Sequence, residues 1–253
     1  MDVNKTAALV TGGASGLGAA TARMLAARGV KVTLFDLNAD EGSALSSDIG
    51  GRFSKVDVTN EQAVQEAILA AEEAHGKARV LVNCAGIATA TKVLNRDGSP
   101  LPLSDFARVV NINLIGTYNV LAQFAARIHD AEPIGEERGV IINTASVAAF
   151  EGQIGQPAYS ASKGGVAALA LPVARELARY RIRVMTIAPG IFWTPMLESL
   201  PAEAQASLGA QVPFPSRLGK PEEYAQLVDS IIANPMLNGE IIRLDGAIRM
   251  APR

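Results

Sequence analysis

The chain has 253 residues, enough for one large α/β domain with a sizeable core, and a formal net charge of −2, which argues against a nucleic-acid or membrane-surface protein. One cysteine, Cys84, excludes an internal disulfide framework and a Cys-based zinc site. The two histidines, His75 and His129, sit at ends of expected helices, where they suit the helix dipole, and no metal site is expected.

The N-terminal run MDVNKTAALVTGG carries one lysine and enters an apolar strand directly. It lacks the pattern of a signal peptide or organelle presequence, and no apolar run reaches the ~20 residues that span a bilayer. A cytoplasmic location is expected. The strand AALVT (7–11) is followed by TGGASGLG and a helix over 16–28. Gly12, Gly16 and Gly18 stand as G-x-x-x-G-x-G, close to the dinucleotide fingerprint without matching it. Such a turn lets the backbone approach a pyrophosphate and aims free N–H groups of the helix start at it. The next strand, KVTLFD (31–36), ends in Asp36, about 20 residues after the glycines, where a carboxylate binds ribose hydroxyls and repels a 2′-phosphate. No basic residue stands at Ser15 or just after Asp36, so NAD is favoured over NADP.

Further along the chain, strands are expected at 53–58, 79–85, 139–146, 182–188 and 240–246. Helices are expected at 40–48, 60–75, 104–129, 158–180 and 221–233. Strands alternating with helices of this length imply right-handed crossovers: an α/β chain, one Rossmann-type doubly wound parallel sheet of about seven strands with helices on both faces. With no linker or repeat, residues 1–253 read as a single domain. Two irregular stretches, 86–103 and 189–220, follow strand C-termini and should border the ligand crevice.

YSASKGG opens the helix after the fifth strand and puts Tyr159 and Lys163 four apart, on one helix face. Alone the spacing is weak; a buried tyrosine beside a snorkelling lysine reads equally well. GVIINTAS, however, ends in Ser146, and strand C-termini converge where a nicotinamide would lie. A free phenol near pKa 10 is too weak a base at neutral pH, but an ammonium about 4 Å away is worth about 4 kcal/mol at an effective dielectric of 20. Ser146 could hold a substrate hydroxyl within reach of Tyr159. These residues suit dehydrogenation of a secondary alcohol.

TGxxxGxG (11–18), NCAG (83–86), Ser146, YxxxK (159–163) and PG (189–190) together resemble the short-chain dehydrogenase/reductase family over nearly the full length. The resemblance implies a catalytic Asn on the helix after the fourth strand; VNINLIGTYNV matches it with Asn113, which would hold a water in a proton relay with Lys163, rather than with Asn111. Longer strings such as GVIINTASVAAFEGQIGQPAYSASKGG and NGEIIRLDGAIRM are similar to a branch of the family that oxidises 3-hydroxyacyl-CoA thioesters. That likeness implies cofactor contacts at Gly12, Ser15, Gly16, Leu17 and Gly18 around the phosphates, Asp36 at the ribose, and Asp57 and Val58 at the adenine. Cys84, Ala85 and Gly86 would lie near the nicotinamide ribose, beside Tyr159 and Lys163; Pro189, Phe192 and Thr194 would close over the nicotinamide. Substrate would meet Ser146, Gln153, Tyr159 and Trp193. Trp193 stands where a small residue is expected and either narrows the acyl pocket or packs outside it. The basic residues Lys92, Arg96, Arg217 and Lys220 read as scattered loop charges. The expected ligand is a small molecule, an acyl-CoA, and the expected assembly a homotetramer. A hydroxysteroid or other secondary-alcohol dehydrogenase stays open as an alternative, and more remotely a non-catalytic NAD-binding scaffold.

Overall fold

The computed structural model describes residues 1–252 except 91, 195–196 and 198–200. Seven strands form one parallel sheet: β1 Ala7–Thr11, β2 Lys31–Asp36, β3 Arg52–Lys55, β4 Ala78–Asn83, β5 Gly139–Thr144, β6 Ile182–Pro189 and β7 Ile241–Leu244. Their spatial order is β3-β2-β1-β4-β5-β6-β7, so the direction in which successive strands are added reverses between β1 and β4. The crevice outside the C-terminal ends of those two strands is where ligands bind in such sheets.

Strand periodicity sorts the core into two layers. Leu9, Leu81, Ile141 and Val184 pack on one face against α3 (Glu61–His75), α5 (Gly116–Ile128) and α6 (Pro157–Leu177). Val10, Val82, Ile142 and Met185 pack on the other face against α1 (Gly16–Ala27), α2 (Ala39–Asp48) and the helix Pro221–Ala233, here α8. Buried on both sides, the central strands read as continuous apolar runs.

Three expectations need correction. β3 stops at Lys55, not 58, because Asp57 turns the chain: its Oδ1 accepts from the Thr59 amide (2.9 Å) and hydroxyl (2.7 Å). The single helix expected over 104–129 is two, α4 (Leu103–Val110) and α5, joined by a π-helical turn, Asn111–Ile115. The stretch 189–220 contains α7, Ala202–Ala210, after Pro201 with Glu203 in its first turn. Its start signals were present, but an Ala-rich run shows no apolar stripe.

Candidate active site

The glycine turn carries a cradle for a dinucleotide. Gly12 takes φ +61°, and a Cβ there would stand 2.7 Å from the Ala85 amide nitrogen. A Cβ on Gly18 would lie 2.1 Å from the Gly12 carbonyl, so α1 can begin this close to β1 only without side chains. Ser15 is the extended N-cap of α1 (φ −146°, ψ 172°) and makes no side-chain cap, which leaves the first N–H groups of Gly16, Leu17 and Gly18 for an anion. Asp36, at the end of β2, braces the turn: Oδ2 accepts from the Ala14 amide and Oδ1 from the Asn38 amide, both at 3.0 Å. Beside it, Asp57 is exposed and Val58 buried. These residues fit a dinucleotide with its pyrophosphate on α1.

The NCAG segment is fixed by β1. The Cys84 amide donates to the Thr11 carbonyl (3.1 Å) and the Ala85 amide to the Thr11 hydroxyl (3.2 Å). The Cys84 side chain packs at the edge of the opposite core, where Sγ lies 3.5 Å from Thr144 Oγ1 and 3.7 Å from Tyr224 Oη. Burial pushes its thiol pKa up. Phe192 behaves alike: its ring is buried in the core of α1 and α8, and a Cβ on Gly219 would meet it at 2.8 Å. The Phe192 ring is thereby buried, whereas Cys84 stays partly exposed. Pro189 ends β6, opposite Leu244, while Thr194 accepts from the Leu197 amide at 2.8 Å.

Asn113 is fully buried in the π turn, whereas Asn111 is exposed. Its Oδ1 accepts from the Ile87 amide (2.8 Å); its Nδ2 donates to the Ile87 carbonyl (2.9 Å) and to Ser162 Oγ (3.0 Å). The side chain thus ties the segment after Gly86 to α6. A Cβ on Gly86 would stand 3.0 Å from Asn113 Oδ1 and 3.5 Å from Lys163 Nζ, so both groups flank that glycine.

Ser146 caps the short turn Val147–Ala149 by accepting from the Ala148 amide at 3.1 Å. Its hydroxyl also lies near enough to Tyr159 to favour the ionised phenol. Lys163 is buried, and its Nζ donates to the Thr144 carbonyl at 2.7 Å while lying 5.9 Å from the Tyr159 ring centroid. Burial drives the lysine down to about 8. Burial likewise raises the Tyr159 phenol, with the nearby Ser146 pulling the other way. The expected lowering of Tyr159 by Lys163 is not what governs the phenol here. Desolvation dominates, and the ammonium is committed to Thr144 rather than to the phenol oxygen.

Sequence reasoning missed Thr144. Besides its carbonyl on Lys163, its hydroxyl donates to the Asn83 carbonyl (2.6 Å) and meets Tyr224 Oη at 2.7 Å. Nothing in the pattern of a buried strand could single it out. A cavity of about 530 Å³ at the start of α6 is lined by Val93, Leu94, Gln153, Ile154 and Ser160 among others. The Gln153 side-chain amide donates to the Ala251 carbonyl at 2.9 Å, which ties the C-terminal segment to this residue. Trp193 is 38% exposed, and its amide donates to the Gly219 carbonyl at 2.8 Å.

A parallel sheet with its reversal at β1/β4, a glycine cradle at α1, and a serine, tyrosine and lysine meeting at β5 and α6 define an oxidoreductase that acts on CH–OH groups with a nicotinamide dinucleotide. The family profile described as short chain dehydrogenase matches residues 6–205, and the chain belongs to the short-chain dehydrogenase/reductase family. The chain is 56% identical over 249 residues to 3-hydroxyacyl-CoA dehydrogenase type-2 of Bos taurus, covering 97% of this chain and 95% of that protein. The protein of the same name from Homo sapiens gives the same values. The crystal structure of 3-hydroxyacyl-CoA dehydrogenase type-2 from Mycobacterium avium superposes with a TM-score of 0.95 at 45% identity, over 98% of both chains.

Proposed function

We propose that this protein oxidises 3-hydroxyacyl-CoA thioesters to 3-oxoacyl-CoA with NAD, the whole chain acting as one domain with substrate loops at 86–103 and 189–220. The observation that carries the reading is the near full-length likeness to 3-hydroxyacyl-CoA dehydrogenase type-2 together with Ser146, Tyr159 and Lys163 at one crevice. The preference for NAD is supported by Asp36, whose carboxylate at the end of β2 would repel a 2′-phosphate.

A bound oxidised nicotinamide would supply the hydride acceptor for carbon 3 and a positive charge that favours the ionised phenol. Tyr159 Oη takes the hydroxyl proton in the same step. Ser146 Oγ, fixed by its cap on the Val147–Ala149 turn, steadies the substrate oxygen. Lys163, held by Thr144, supplies charge behind the tyrosine and passes its proton outward on the side that Asn113 shapes. Gln153 and Trp193 are assigned to the substrate side. Exposed Phe106, Tyr118 and Leu171 on α4, α5 and α6 support assembly as a homotetramer through those helices.

The test is NADH formation by purified protein with (S)-3-hydroxyacyl-CoA thioesters of increasing length, beside NADP⁺ and a steroid alcohol. Turnover of thioesters with NAD⁺ is expected. Turnover of the steroid alone would move the protein to another branch of the family.

A further inference from the structure

Resting on the reading of Ser146 as the group that steadies the substrate oxygen, we infer that Arg243 is a positioning residue for that serine. It holds Glu151, and through Glu151 the turn that presents Ser146. Arg243 lies on β7, and its guanidinium is bonded on three sides. Two of its nitrogens form a two-pronged pair with Glu151 (2.8 and 3.1 Å), Nε donates to Asp245 (2.7 Å), and Nη2 donates also to the Ile248 carbonyl (3.1 Å). The group lies over the Phe150 ring, 5.4 Å from its centroid. The Arg243 and Glu151 side chains are each 23% exposed, so the pair is partly withdrawn from water, and the planar fork matches the carboxylate. Arg249 also reaches Glu151 (3.3 Å), but it is 61% exposed and makes no such fork.

Glu151 passes this hold to the serine. Its amide donates to the Val147 carbonyl (3.0 Å), within the turn whose Ala148 amide is bonded by Ser146 Oγ. The chain after β7 grips the same loop further along. The Met250 amide donates to Glu151 (3.2 Å), the Gln153 side chain to the Ala251 carbonyl (2.9 Å), and the Ile154 amide to the Pro252 carbonyl (3.0 Å). Beyond these contacts the Gln153 amide donates to the Gln156 side chain and the Gln156 amide to the Gln153 carbonyl, both at 3.0 Å. The loop then packs on the first turn of α6, where a Cβ on Gly152 would stand 2.2 Å from Ser160 Oγ. A loop fixed only at its two ends would sample many arrangements, and the strap removes that freedom. A displacement of about 1 Å in a group that orients substrate costs up to about a hundredfold in rate.

The experiment measures kcat and KM for Arg243→Gln and Glu151→Gln in two backgrounds, wild type and Ser146→Ala, with NAD⁺ and (S)-3-hydroxybutyryl-CoA. Thermal unfolding is the folding control. Each variant should lower kcat roughly tenfold in the wild-type background and leave the KM for NAD⁺ unchanged. Once Ser146 is gone, the same substitution should cost less than about twofold, because its effect runs through that hydroxyl. Arg243→Lys should recover part of the lost kcat. An equal loss in both backgrounds would overturn the inference, since Arg243 would then act elsewhere. So would wild-type kinetics with a lowered melting temperature, the sign of a strap that only stabilises. A raised KM for NAD⁺ with unchanged kcat would overturn it too, by moving the effect to Pro189, which β7 pairs through Leu244. If Arg243→Gln does not fold, Glu151→Gln decides alone. A wild type that ignores the thioester but oxidises a secondary alcohol removes the substrate reading only, and the same comparison is made on that alcohol. A Ser146→Ala enzyme with wild-type turnover removes the role of the serine and this inference with it.

Discussion

Tyr159 and Lys163 both lie in a medium that resists their charged forms, and each needs a partner to work. The Tyr159→Phe variant should lose about 10²- to 10⁴-fold in kcat while NADH binding, followed by fluorescence, stays near wild type. Unchanged turnover would take the phenol out of the mechanism. Lys163 makes a prediction about stability. Below pH 8 the ammonium is protonated in both folded and unfolded chains, and its burial penalty is constant. Between about 8 and 10.5 the unfolded chain holds a proton that the folded chain has released, so wild-type stability rises across that window. Lys163→Met lacks this rise. Urea unfolding at a series of pH values should show wild type gaining about 3 kcal/mol on the variant between pH 8 and 10.5. A pH-independent difference would mean that the lysine is not desolvated. At this scale the sequence already pointed to Ser146, Tyr159 and Lys163, not by their spacing alone but because they stand at a strand end and helix start among several family-like motifs in order. It could not expose Thr144, whose work is done by a carbonyl any residue would offer and by a hydroxyl aimed across the sheet.

The elements bring chemistry to the crevice by how closely they approach one another. The first turn of α1 closes on β1 at Gly18, where an added methyl would sit 2.1 Å from the Gly12 carbonyl. Gly18→Ala should therefore cost about 1–3 kcal/mol of stability and raise the KM for NAD⁺; thermal unfolding with and without cofactor separates the two effects. A variant with wild-type melting and cofactor KM would show that the turn has slack. The π turn at Asn111–Ile115 is the element that periodicity could not foresee. One inserted residue in a helix leaves the apolar pattern nearly continuous, yet it is here that Asn113 reaches Ile87 and Ser162. α7 went unseen for the opposite reason, good helix formers without an apolar stripe. Asp57, by contrast, shows how a local rule overrides a strand: β-branched neighbours promise three more residues of β3, and one side-chain turn ends it.

Across the molecule, the sheet is held at its far end by a buried charge. Arg183 on β6 meets Glu137 at 2.6 Å, and its other nitrogens donate to the carbonyls of Ile231, Ile232 and Leu237 around the end of α8. Glu137 also meets the Met1 amine at 3.0 Å. Arg183→Ala should destabilise the fold by about 3 kcal/mol, read by urea denaturation, since it orphans three carbonyls and half of a buried pair. A loss under 1 kcal/mol would show that water replaces the guanidinium there. The sequence by itself determined the parallel α/β architecture, the glycine turn, the acidic end of β2 and the candidate triplet Ser146, Tyr159 and Lys163. These depend on local periodicity and on residue types that few other roles explain. Tertiary structure alone decided that Phe192 turns its ring into the core, that the Thr144 carbonyl holds Lys163, and that desolvation governs Tyr159. Each of those depends on distances between residues far apart in the chain, which packing sets and spacing along the sequence does not encode.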